Sequence, residues 1–280
     1  VLFHIHCSSS GSQKVKWKGK IEEVDGIQVV KNPKEPIYKA DVFSFEEDLR
    51  IGKEGDNKYM FSQISDIAVD GQENIYVADY KEINIKVYDK SGRYLRTIGK
   101  QGQGPGEIGR PYSIQVVNDR ELMVHDGKNR RVHYFSLEGE FLRDIKFGLL
   151  WHDKLYTVSN KYYYAMVWLR EPPNSRIELM KLDAELNKLE TIGIRQMYDR
   201  PQPIELFRPD ISFKIMHNDC LLYGYPEDYE LQIFSPEGKL MKKITRKYDP
   251  IPVSDEERKG AEKDFEPGRK LVFMKHHPAY

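Results

Sequence analysis

The stretch FSQISDIAVDGQENIYVADYKEINIKVYDKSGRYLRTIGKQGQGPGE, Phe61–Glu107, decides the fold. Four short runs of alternating apolar and polar residues occupy it: Ile64–Val69, Asn74–Ala78, Asn84–Tyr88 and Arg93–Ile98. Turn-type residues separate them at Asp70-Gly71, Asp79 to Glu82 and Asp89-Lys90-Ser91-Gly92. Period-2 alternation interrupted by turn chemistry spells a four-stranded antiparallel meander.

The meander recurs. Ile51, Ile98, Ile145 and Ile192 stand 47 residues apart, and Leu95, Leu142 and Leu189 keep the same frame. Asp79 and Asp126 are also separated by 47 residues, as are Gly92 and Gly139. The units run over Phe61–Gly99, Pro111–Lys146, Lys154–Gly193 (the most divergent) and Ile211–Thr245. Repeats of about 40 to 50 residues with four strands each are propeller blades. One such sheet cannot bury both faces alone, so neighbours pack face to face.

The expected fold class is therefore an all-β propeller with four full four-stranded blades in residues 42–280. Val42–Ile51 carries only the end of a blade, and it is expected to be an orphan outer strand with partners beyond Tyr280. A short helix near the C-terminus, within 254–266, is opened by the capping box Ser254-Asp255-Glu256-Glu257. Residues 14–41 form a lead-in, with one strand signal at Gly26–Val30.

Lys+Arg and Asp+Glu are both 44, so the net charge is zero. That balance argues against a strongly electrostatic partner such as nucleic acid. No apolar run approaches the length of a membrane-spanning helix. The two cysteines, Cys7 and Cys220, are too few for a disulfide framework.

Residues 1–13 read as an export-signal remnant and tether. Val1–Ile5 is largely apolar, and Cys7 is followed by Ser8-Ser9-Ser10-Gly11-Ser12. This resembles the start of a bacterial lipoprotein, although Ile5 and His6 stand where small residues are expected. The resemblance implies lipidation at Cys7, an extracytoplasmic location in the cell envelope, and membrane contact only through that anchor.

Several side chains are candidates for chemistry, each with a competing structural reading. The Gly99–Gly106 run could cradle phosphate, but a strand rather than a helix follows it, which favours a connection between blades. Asp79 and Asp126 could bind a cation, or each could cap its own turn; repetition favours the cap. The histidines show no zinc spacing, so no cofactor is expected, with a metal ion held by residues from several blades as the alternative. No nucleophile motif is present. In Tyr162–Leu169, alternation puts Tyr162, Tyr164, Met166 and Trp168 on one face, with Trp151 just before. That face either packs on the adjacent blade or stacks on a sugar or peptide. Lys128, Arg130 and Arg131 form a small basic cluster.

The motifs Ile64-Ser65-Asp66-Ile67-Ala68-Val69-Asp70, Asn74-Ile75-Tyr76-Val77-Ala78-Asp79 and Ile85-Lys86-Val87-Tyr88-Asp89 resemble the NHL repeat, and Asp126-Gly127-Lys128-Asn129-Arg130-Arg131-Val132 continues the likeness. From Lys14 onward the chain resembles bacterial six-bladed, TolB-like propellers, many of them lipoproteins. The resemblance implies a six-bladed architecture, incomplete here, and no defined activity. The expected function is a non-catalytic binding or scaffold propeller recognising a protein, peptide or glycan through one face, with Trp151, Tyr162, Tyr164, Trp168, Arg130 and Arg131 as candidate contacts. The alternative is a metal-dependent lyase or lactonase centred on a propeller channel.

Overall fold

The computed structural model describes residues 2–7, 16–37, 43–148, 152–158, 161–197, 204–206, 210–216, 218–224, 229–263, 271–274 and 276. They divide into two compact units. One comprises Val1–Gly11, Ala40–Trp168 and Glu178–Ile192; the other comprises Ser12–Lys39, Leu169–Ile177 and Gly193–Tyr280.

The first unit holds the stretch that decides the fold. Ile64–Val69, Ile75–Asp79, Asn84–Tyr88 and Tyr94–Ile98 form a four-stranded antiparallel sheet in chain order. Pro111–Val117, Glu121–Asp126, Arg131–Ser136 and Phe141–Lys146 repeat it, and the strands His152–Val158, Tyr162–Leu169, Arg176–Leu182 and Lys188–Gln196 do so again. The expected strands match these within a few residues.

The last turns of the first, second and fourth blades explain their glycines. Gly92, Gly139 and Gly238 have φ of 78°, 102° and 91°, a region costly for any residue with a Cβ. Each donates its N–H to the carbonyl three residues back, on Asp89, Ser136 and Ser235. A β-bulge follows on the outer strand. Tyr94 pairs with Tyr88 and Arg96 with Val87, leaving Leu95 as the extra residue. Leu142 and Met241 are the extra residues at the same place in their blades. A bulge re-aims the side chain it carries, so all three are exposed despite being apolar.

The two faces of a blade bury different sets. Tyr76, Ala78, Ile85 and Val87 of the first blade form one apolar cluster with Ile114, Leu122, Val124 and Phe135 of the second. Fully burying one such aliphatic side chain contributes about 2 kcal/mol. The opposite face of the first blade is covered differently: Ile75, Val77 and Tyr88 pack under Leu49, Ile51, Tyr59 and Phe61.

Innermost strands of adjacent blades are bridged by side chains. The Ile114 N–H donates to the Asp66 carboxylate at 3.0 Å, and the Ser65 hydroxyl donates to the Pro111 carbonyl at 2.7 Å. One blade further on, Gln115 both donates to the Thr157 carbonyl and accepts from the Thr157 N–H, at 2.9 and 2.8 Å. These bonds satisfy backbone groups that a strand without a neighbour would leave open.

Phe43–Leu49 corrects the expectation of an orphan strand. It pairs antiparallel with Leu2–Cys7, so its partner precedes it in the chain, and the Cys7 backbone lies opposite Phe43.

The second unit contains the fourth blade, formed by Ser212–Ile215, Leu221–Gly224, Glu230–Phe234 and Leu240–Arg246. Its sheet has six strands rather than four, because the lead-in contributes a hairpin, Lys20–Val24 with Ile27–Asn32. Ile27–Asn32 runs parallel to the outer strand, with Lys242 opposite Gln28 and Arg246 opposite Asn32. An outer strand otherwise presents an open hydrogen-bonding edge, and the hairpin covers it. Glu22 ties the hairpin together: hydrogen bonds from Lys20 and Lys31 hold its carboxyl at about 2. The helix forms at Asp255–Glu262 with its capping box intact. Ser254 accepts from the Glu257 N–H at 3.2 Å, and the Glu257 carboxylate accepts from the Ser254 N–H at 2.9 Å.

Candidate binding site

The repeated aspartates are turn caps that also hold a second segment. Asp79 accepts from the N–H groups of Lys81 and Glu82 in its own turn, and from Ser62 and Gln63 ahead of the blade's first strand. Asp126 does the same with Asn129, Gly109 and Arg110, and also receives the Asn129 side-chain amide. Both carboxylates are fully buried. Burial opposes their charge, but the converging N–H groups outweigh it and hold both below the usual carboxylate range; for Asp126, His133 is the largest of these favourable contacts.

The glycine-rich run Gly99–Gly106 is a connector. Its N–H groups at Gln103 and Gly104 point at the protein's own Glu107 carboxylate, at 3.0 and 2.9 Å. Those contacts, with Lys100, keep Glu107 ionised below its ordinary range. The seat a phosphate would need is occupied by this carboxylate.

His133 lies fully buried with Nε2 3.4 Å from Asp126 Oδ2. His125 is buried between the rings of Tyr112 and Phe147, at 5.5 and 5.7 Å. Among the described residues, no three His, Cys, Asp or Glu side chains group closely enough to hold a metal ion.

The predicted aromatic surface is mostly interior. Tyr164 is fully buried and Met166 nearly so, which corrects the expectation that Tyr164 contacts a ligand. Both faces of this strand are buried, so Tyr163, Ala165 and Val167 are enclosed as well as Tyr164 and Met166. Tyr162 is half-buried, with the Lys181 ammonium 4.2 Å from its ring centre. Trp168 is also half-buried, and its indole N–H has no acceptor among the described residues. Trp151 lies outside the described residues. Arg131 is paired with Asp144, while Arg130 stands exposed in a turn with φ of 53°.

A further candidate lies elsewhere, in the second unit. Parallel pairing sends Ile27–Asn32 and Leu240–Arg246 out of the sheet at the same end. Their exit segments therefore lie side by side. The Arg246 guanidinium donates to the Lys34 carbonyl through Nε and Nη2, at 3.2 and 2.8 Å. Lys34 in turn pairs with Asp249. An open cleft of about 540 Å³ lies here, walled by Tyr229 and Tyr248 with Thr245 and Arg246 between them. The two tyrosine rings are 6.1 Å apart at 52°, and Arg246 stacks 5.5 Å over Tyr229. Glu230 and Lys247 complete the rim.

None of these cleft residues was singled out by sequence reasoning, because three distant segments build the site. The available signal was local: the Lys34 and Asp249 segments each sit beside a proline just past a strand, where chains turn out of sheets.

Residues 51–200 match a family described as 6-bladed beta-propeller. The chain belongs to that family. This propeller is similar to a protein from Bacteroides fragilis, inferred to be exported, at 13% identity and a TM-score of 0.55, covering 84% of this chain and 65% of that one. A protein of unknown function from Bacteroides caccae is 11% identical with a TM-score of 0.39, over 65% of this chain and 60% of its own. Protein brain tumor of Drosophila melanogaster is 28% identical over 114 residues, which is 40% of this propeller and 11% of the fly protein.

Proposed function

We propose that this chain is a non-catalytic binding propeller of the bacterial cell envelope, recognising a glycan, peptide or protein through side chains displayed at one end of a blade. The observation that carries this reading is the cleft at Tyr229 and Tyr248. It has aromatic walls, a charged rim and a volume of about 540 Å³, within the range of small-ligand sites. It is also an addition to the repeat, created by the lead-in hairpin. In repeat proteins the recurring residues hold the fold, and departures from the repeat are where function is grafted. The recurring carboxylates Asp79 and Asp126 fit the first role, since both are engaged by backbone N–H groups.

An envelope location rests on the Cys7 segment, whose pattern resembles a lipoprotein start. Several acyl chains on Cys7 would make that anchor stable.

Glycan and peptide arrays probed with the purified protein are expected to return a specific ligand, and Tyr248→Ala should abolish that signal with an unchanged circular dichroism spectrum. Arrays without a specific ligand would count against the reading. In cells, Cys7→Ser is expected to move the protein from the membrane to the soluble fraction; unchanged partitioning would remove the lipid anchor.

A further inference from the structure

We infer that the Tyr229–Tyr248 cleft takes an acidic oligosaccharide, a chain of sugar rings carrying carboxylates. The inference rests on the reading of the chain as a binding protein and names the ligand class.

Charge comes first. Glu230 is 3.1 Å from Lys243, and Asp249 is paired with Lys34, so both acids on the rim are compensated within the protein. Arg246 and Lys247 remain. Arg246 spends two N–H groups on a neutral carbonyl, and among the described residues it has no carboxylate partner. Lys247 is exposed on the rim. Among the described residues, the cleft therefore carries two cations without a carboxylate partner, and an anion can supply one.

Shape and backbone then separate a sugar from a peptide. One mode of peptide recognition adds an extended strand to an open sheet edge, where main-chain groups supply affinity. The cleft lies past the ends of Ile27–Asn32 and Leu240–Arg246, two strands already paired with each other. Among the described residues, the two strands that end at the cleft present no open edge to it. What remains is side-chain chemistry: two tyrosine rings 6.1 Å apart and inclined at 52° to each other. Arg246 covers one face of Tyr229; a tyrosine ring is flat and apolar with a polar tip, which suits a sugar ring that is apolar on its faces and polar at its rim. A carboxylate on such a ring would reach Arg246, whose planar fork matches carboxylate geometry.

The test uses isothermal titration of the full 280-residue chain with three probes: tri-galacturonate, neutral maltotriose and tetraglutamate. Tri-galacturonate is expected to bind, with an affinity that falls as salt rises. Tyr248→Ala and Lys247→Glu should each weaken it about tenfold or more, and Tyr248→Phe should restore it. The other two probes should bind about tenfold or more weaker than tri-galacturonate. Lys247 is exposed, so its variant reports on binding without a folding defect. Equal or tighter binding of maltotriose or tetraglutamate, with the same response to the variants, overturns the ligand class and leaves the binding role standing. Tri-galacturonate binding indifferent to both variants overturns the site. No binding by any probe, alongside a positive array, also overturns the site; a blank array as well overturns the binding role.

Discussion

Single carboxylates carry much of the order within the first two blades. Asp126 joins the turn at Asn129 to the chain at Gly109 and Arg110, and Asp79 joins its turn to Ser62 and Gln63. Bonds to a buried charge contribute more than neutral ones, and the partners are left unsatisfied when the charge goes. Asp126→Asn is therefore expected to cost about 2 kcal/mol at neutral pH, read from urea unfolding. The sign with pH follows from the depressed folded-state pKa. The contribution is fully present above the unfolded-state value of about 3.9 and is lost as pH falls through the lower folded value. The gap between wild type and Asp126→Asn should then narrow below about pH 4. A gap that stays constant down to the acid transition would show that the carboxylate's charge is not what stabilises the turn.

Repeat-equivalent residues in two blades give a controlled comparison at the level of the element. Ile67 and Ile114 are 47 residues apart and occupy the same position in the innermost strand. Ile114 is 2% exposed within the cluster between blades, whereas Ile67 is 47% exposed. Ile114→Ala should cost about 3 kcal/mol through lost burial and a cavity. Ile67→Ala should cost under about 1 kcal/mol, and equal losses in denaturation would refute a burial difference between them. The blades themselves were legible because each is local: alternation, turn and bulge lie within one 47-residue frame. The lead-in hairpin was half legible: the strand signal at Gly26–Val30 matches Ile27–Asn32, but its partner and its place in the sheet were not read. Lys20–Val24 reads KIEEV, where paired charges mask the strand, and its neighbour Ile27–Asn32 finds a parallel partner at Leu240–Arg246, far along the chain. No local pattern announces a pairing of that range, and the cleft it creates was invisible for the same reason. The aromatic strand misled in the opposite direction. Alternation shows which residues share a face, but here both faces are buried, Tyr163 as fully as Tyr164.

For the molecule as a whole, what matters is an apolar strip exposed on the first blade. The first blade presents Ile67 and Val69, each 47% exposed, on the face whose counterparts Ile114 and Val116 contribute to the apolar cluster between the first and second blades. Leu49, Ile51, Tyr59 and Phe61 cover the neighbouring part of the first blade's face, so the open area is its innermost strip. Contiguous apolar surface of this kind drives association. The 280-residue chain is therefore expected to self-associate with rising concentration in sedimentation velocity runs. Ile67→Lys combined with Val69→Lys should return it toward monomer with little loss of stability, because both positions already face solvent. A wild-type chain that stays monomeric across the whole concentration range would mean that the strip is tolerated in water, and that the packing seen between the first and second blades is not required on the first blade's other side.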